Sequence, residues 1–81
     1  MRVKLLFFAT IRDYFRTGER EVTINLPKTV REIFMSLFED KTTAQQFLSS
    51  VRFAINCAYV SHETPVKDGD ELAVIPPVSG G

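Results

Sequence analysis

From Val3 onward, apolar residues recur at every second position, and Val3, Leu5, Phe7 and Ala9 share one side of an extended segment over residues 2–10. That is the period of a β-strand. The opposite side, Lys4, Leu6 and Phe8, is also partly apolar. A strand apolar on both faces either has a second buried flank or offers a docking surface. Tyr14 and Phe15 follow and are expected to close over the core. Arg16-Thr17-Gly18-Glu19 reads as a turn in which Gly18 is the residue able to take positive φ. Residues 21–26 then alternate again through Val22, Ile24 and Leu26, which predicts a hairpin.

The period changes after Pro27. Thr29-Val30-Arg31-Glu32 has the Thr-x-x-Glu form of a capping box, and Val30, Ile33, Phe34, Leu37 and Phe38 follow at helical spacing. This helix should lie across the sheet and supply much of the core. Glu39-Asp40-Lys41 ends it, and Thr43-Ala44-Gln45-Gln46 is expected to cap a short second helix reaching Phe47 and Leu48. Strand character returns at residues 52–56, with Phe53 and Ile55 on one side. A tight turn at Asn56-Cys57 lets Tyr59-Val60 pair back. Lys67-Asp68-Gly69-Asp70 is a turn whose carboxylates are solvated turn formers rather than metal ligands. Residues 71–75 form the last strand, with Leu72 and Val74 inward and Ala73 and Ile75 outward. The order of elements predicts an α+β domain, one mixed sheet packed on one main helix.

Eighty-one residues allow one domain, and 44% hydrophobic with 25% charged residues is ordinary for a globular fold. Ten Lys and Arg balance ten Asp and Glu, with no long basic run, so neither nucleic acid nor an anionic membrane surface is indicated as a partner. The apolar run from Leu5 to Ala9 is too short for a signal peptide or a membrane span, which makes the cytoplasm the expected compartment. A single cysteine, Cys57, excludes an internal disulfide and is read as a packing residue. His62, in the polar stretch Ser61-His62-Glu63-Thr64, is read as a solvated turn residue, and no metal site is expected.

The last six residues, Pro76-Pro77-Val78-Ser79-Gly80-Gly81, point to chemistry. Two prolines stop a sheet ladder and stiffen the exit of the chain, so the division expected is a domain over 1–75 and an extended tail over 76–81. Gly80 and Gly81 lack Cβ and can pass through a narrow channel in a partner. The Gly81 carboxylate, with an α-carboxyl pKa of about 3.3 to 3.7, is ionised at neutral pH and can attack a phosphate that a partner supplies with ATP. Strand alternation places Phe8, Tyr59 and Ile75 on an outer apolar patch beside the tail's exit, a candidate partner interface.

A hairpin, one packed helix, further strands and a terminal Gly-Gly together resemble the ubiquitin-like β-grasp fold. Leu5-Leu6-Phe7-Phe8-Ala9 with Arg12, and Asp68-Gly69-Asp70-Glu71 leading to the Pro76–Gly81 tail, are similar to the MoaD-type small subunits of molybdopterin synthase. The likeness runs end to end, departing at the displaced Gly18 and over residues 42–50. It implies a protein that serves as a reagent and is not catalytic alone. Gly81 would be adenylated by a ubiquitin-activating-type adenylyltransferase that uses ATP. A sulfur donor protein would then leave a C-terminal thiocarboxylate. That group would pass its sulfur to cyclic pyranopterin monophosphate inside a large catalytic subunit. The chain itself would bind no cofactor, and general acid and base groups would belong to the partner. Two alternatives stand beside this reading. One is a related carrier for thiazole synthesis, tRNA thiolation or isopeptide modification; the other is a β-grasp interaction module with an inert tail.

Overall fold

The apolar alternation is realised as a five-stranded sheet covered on one face by helices. The computed structural model describes residues 1–77. In chain order the elements are β1 (Arg2–Phe7), α1 (Ala9–Phe15), β2 (Glu19–Thr23), α2 (Val30–Ser36), α3 (Lys41–Leu48), β3 (Arg52–Ile55), β4 (Ala58–Val60) and β5 (Glu71–Ile75). The sheet order is β2-β1-β5-β3-β4. β5 runs parallel to β1 and antiparallel to β3, so the last strand in sequence occupies the centre of a mixed sheet, as the α+β expectation requires.

Period two decides which residues are inside. Val3, Leu5, Phe7, Leu72, Val74 and Phe53 are buried beneath Val30, Ile33 and Phe34 of α2 and Phe38 just beyond it. Each such side chain contributes about 1.5 to 3 kcal/mol on burial. Aromatic edges tie the layers, with ring centroids 5.4 Å apart for Phe34 and Phe53 and 5.0 Å for Phe34 and Phe38. Arg20, opposite Leu5 on the inner side, lays its guanidinium 5.0 Å from the centre of the Phe15 ring. The capping box forms as read: the Thr29 N–H donates to the Glu32 carboxylate at 2.9 Å and the Glu32 N–H to the Thr29 hydroxyl at 3.2 Å.

Several local expectations are corrected. The first strand stops at Phe7, and residues 9–15, expected partly as strand, form α1. β1 and β2 pair antiparallel, but through this helix rather than a tight hairpin. Positive φ falls on Arg16 (59°), the C-cap of α1, and not on Gly18, because the helix end needs a left-handed residue. β2 ends at Thr23, before the alternation runs out, and Leu26 is 70% exposed. The cap of α3 is Asp40, whose carboxylate accepts from the Thr42 N–H at 2.9 Å, so the helix starts two residues before Thr43. Cys57 is not a packing residue: it sits exposed in the β3–β4 turn, with φ of 73° following 49° at Asn56. His62 is half-buried, its ring meeting Phe53 edge-on at 4.9 Å, and is not simply solvated.

The turns are held by side chains. Gly69 takes φ of 85° in the turn before β5. Around it, the Lys67 N–H donates to Asp70 at 2.8 Å and the Arg2 N–H to Asp68 at 2.7 Å. Asn56 bridges the β3–β4 turn to the start of β5, donating to the Asp70 carboxylate and accepting from the Glu71 N–H, both at 3.0 Å. The carboxylates at 68 and 70 are thus occupied as turn formers. Among the described residues no cluster of His, Cys, Asp and Glu is placed to hold a metal ion.

Candidate functional site

The face of the sheet away from α2 is built by the residues that alternate with the core. Register places them in rows. Leu6 lies beside Ala73, Ala73 beside Ala54 and Ala54 beside Tyr59, so four strands contribute to one apolar row. One step further toward the tail, Ile75 of β5 faces Arg52 of β3. Phe8 follows β1 in extended conformation, φ −127° and ψ 152°, and therefore continues the outward side of Leu6. It is at the same time the N-cap of α1 and makes no side-chain cap bond.

Exposure sets this face apart from the core except at Ala54, which is buried. Phe8 is 46% and Tyr59 68% exposed, while Leu6, Ala73 and Ile75 are half-buried. Phe8 lies on the β1 side of β5 and Tyr59 beyond β3, so the patch straddles the strand that leads into the tail. A groove lined by Arg52, Tyr59, Ile75, Pro76 and Pro77 opens at this point. Pro76 is buried and Pro77 exposed, so the chain leaves the domain between them. Val78, Ser79, Gly80 and Gly81 lie outside the described residues. The structure thus brings Tyr59, Ile75, Pro76 and Pro77 together around one groove, with Phe8 on the other flank of the exit strand.

The opposite end of the same face is charged. Lys4 pairs in register with Glu21 and Glu71, and its ammonium reaches Glu19 at 3.1 Å. That hydrogen bond, with the Glu19 charge behind it, raises the Lys4 pKa above its ordinary value. The apolar half is therefore bounded by ion pairs on the side away from the tail, the outline of a patch set off from a solvated rim. Arg52 is the residue that reading by sequence missed. It opens a short strand in alternation with Ala54, and only the β3–β5 register shows that it stands beside Ile75.

Comparison with known proteins places this arrangement. The model of the ThiS family matches residues 5–81. The chain belongs to the ThiS family. It is 36% identical over 81 residues to the molybdopterin synthase sulfur carrier subunit of Escherichia coli (strain K12), covering 98% of this chain and 99% of that relative. Among solved structures, it is similar to a chain of the protein-protein complex of subunits 1 and 2 of the molybdopterin-converting factor from Helicobacter pylori 26695. That likeness has a TM-score of 0.66 and 27% identity over all of both chains. It is likewise similar to the small archaeal modifier protein 1 from Methanosarcina acetivorans, with a TM-score of 0.74 and 28% identity over 99% of this chain and 96% of that one. The fold of this ThiS-family chain is the ubiquitin-like β-grasp, with α1 inserted where a tight first turn was expected. Among the described residues no helix is long and apolar enough to cross a membrane.

Proposed function

We propose that this chain is the sulfur-carrying small subunit of a molybdopterin synthase. The observation that carries the reading is the central strand β5, which delivers Pro76 and Pro77 beside an exposed apolar patch in a chain that matches a sulfur carrier subunit along 98% of its length. A domain that only folds has no use for Phe8 and Tyr59 on its open face. A domain that must dock and insert a thin terminus needs both parts together.

The chemistry follows from the Gly81 carboxylate. Its carbonyl carbon is electron-rich and a poor acceptor. Attack of the carboxylate on the α-phosphate of ATP, held by a ubiquitin-activating-type adenylyltransferase, forms an acyl adenylate and releases pyrophosphate. Sulfide released by a donor protein then attacks the acyl carbon, the C–S bond forming as the C–O bond to AMP breaks, and the thiocarboxylate is left. Docked on the large catalytic subunit through Phe8, Tyr59 and Ile75, the tail carries this sulfur to cyclic pyranopterin monophosphate, and water restores the carboxylate. The residues of this chain bind and present; proton transfers fall to the partner. The compartment is the cytoplasm.

The intact mass of the chain isolated from cells tests the reading. A population in which one terminal oxygen is replaced by sulfur is expected, and it should vanish when the adenylyltransferase is absent. A chain that stays unmodified under all conditions would refute a carrier. So would full function after a residue is appended beyond Gly81.

A further inference from the structure

Among the described residues, Arg52 is the one charged side chain lining the groove at the tail's exit, beside Tyr59, Ile75, Pro76 and Pro77. Its cross-strand neighbour is Ile75, which can offer it nothing polar. The ion pairs among the described residues join Arg2 to Glu21, Lys4 to Glu19 and Arg31 to Glu63, and none involves Arg52. No described side chain accepts a hydrogen bond from its guanidinium either. Among the described residues nothing but solvent is left to satisfy this exposed cation. In a docked domain solvent cannot, because the groove is continuous with the patch formed by Tyr59 and Ile75, which a partner must cover.

A cation that loses water without gaining an acceptor is strongly unfavourable, so a tight complex has to supply one. A guanidinium is a planar fork of donors that matches a carboxylate in two parallel hydrogen bonds. We propose that Arg52 is a specificity determinant of the docking face: the protein covering Phe8, Tyr59 and Ile75 presents an Asp or Glu carboxylate that closes on the Arg52 guanidinium. The inference rests on the reading of this face as the docking surface for the large subunit. Apolar contacts would supply much of the affinity, and the buried pair would fix the register of the tail and reject surfaces that are apolar but lack an acid.

The test titrates the full-length chain and its Arg52→Met, Arg52→Glu and Phe8→Ala variants against the large subunit of the same organism, at low and high salt. Because Arg52 is exposed and unpaired within the described domain, both of its variants should keep the wild-type melting temperature. Arg52→Met is expected to weaken binding about thirtyfold or more, the loss typical of removing one member of a buried charge pair. Arg52→Glu should weaken it further, and a Lys replacing one acidic residue on the large subunit should restore the Glu variant. Wild-type affinity should fall with salt more steeply than that of Arg52→Met. If Phe8→Ala weakens binding while Arg52→Met matches the wild type in affinity and salt dependence, the carboxylate contact is overturned and the docking face stands. If Phe8→Ala and Arg52→Met both bind as the wild type does, the docking face itself falls and the inference falls with it.

Discussion

At the scale of single residues, two positions show how exposure and backbone geometry lead to opposite expectations. Phe8 is a large apolar side chain left half in water, so its removal should leave the fold alone. Phe8→Ala is expected to keep the melting temperature within a degree or two, while weakening capture of the large subunit. A large drop in melting temperature with normal binding would return Phe8 to the core. Cys57 is the reverse case, a residue whose replacement should help. Asn56 and Cys57 both hold positive φ, at 49° and 73°, the pattern of a two-residue turn that favours Asn followed by Gly. Cys57→Gly removes the steric penalty of a Cβ at that φ and should raise stability by about 0.5 to 1 kcal/mol, read from the urea midpoint. Unchanged or lower stability would mean that the thiol makes a contact worth more than the backbone relief.

At the scale of elements, the two helices after β2 are started by carboxylates, and this sets a pH dependence. Glu32 is held below the ordinary carboxylate range, chiefly by the hydrogen bond it accepts from the Thr29 backbone. Asp40 is lowered likewise, first by the Thr43 hydroxyl and then by the Thr42 and Thr43 backbone. With folded values depressed, the unfolded chain binds more protons as pH drops, so the stabilisation is fully present above the unfolded values of about 3.9 to 4.3. It is lost as pH falls from there through the lower folded values. Glu32→Gln keeps a side chain able to complete the capping box but cannot titrate. Its urea midpoint should therefore change less than that of the wild type between neutral pH and about pH 3. Parallel curves would show that the cap carries none of the acid sensitivity. These helices also mark what could be read from the chain alone. The capping box at Thr29 and Glu32 is written in residue types, and it was legible. α1 was not, since Phe8 precedes it without any side-chain cap, and Leu5 to Ala9 carries the alternation of a strand across the true boundary. For α3 the competing oxygens of Asp40 and Thr43 both suit an N-cap, and only the fold selects Asp40.

At the scale of the whole molecule, the core was legible because alternation in β1 and β5 and the stripe of α2 agree on one inside. The sheet order was not, because pairing of β1 with β5 joins segments some seventy residues apart and leaves no local mark. The same separation of parts governs the proposed activity. Deleting Gly81 should abolish formation of the thiocarboxylate while leaving affinity for the large subunit measurable, since docking is proposed to rest on the domain face and chemistry on the terminus. Loss of both at once would show that the tail is the main anchor. Gly81→Ala should impair adenylation far more than thermal stability, because a methyl group would obstruct a narrow channel in a partner.

The central place of β5 also has a meaning for synthesis. β1 and β3 border a gap that only Glu71–Ile75 can fill, and these are the last residues of the sheet to leave a ribosome. The growing chain can form α2 and α3 early, but the apolar edges of β1 and β3 stay unpaired until residues 71–75 have been made. Such long-range closure is slow, and nascent chains will need shielding from one another. It also acts as a checkpoint: truncated products that lack β5 cannot present a finished docking face, so an activating enzyme that reads that face would be offered only chains whose synthesis has passed Ile75.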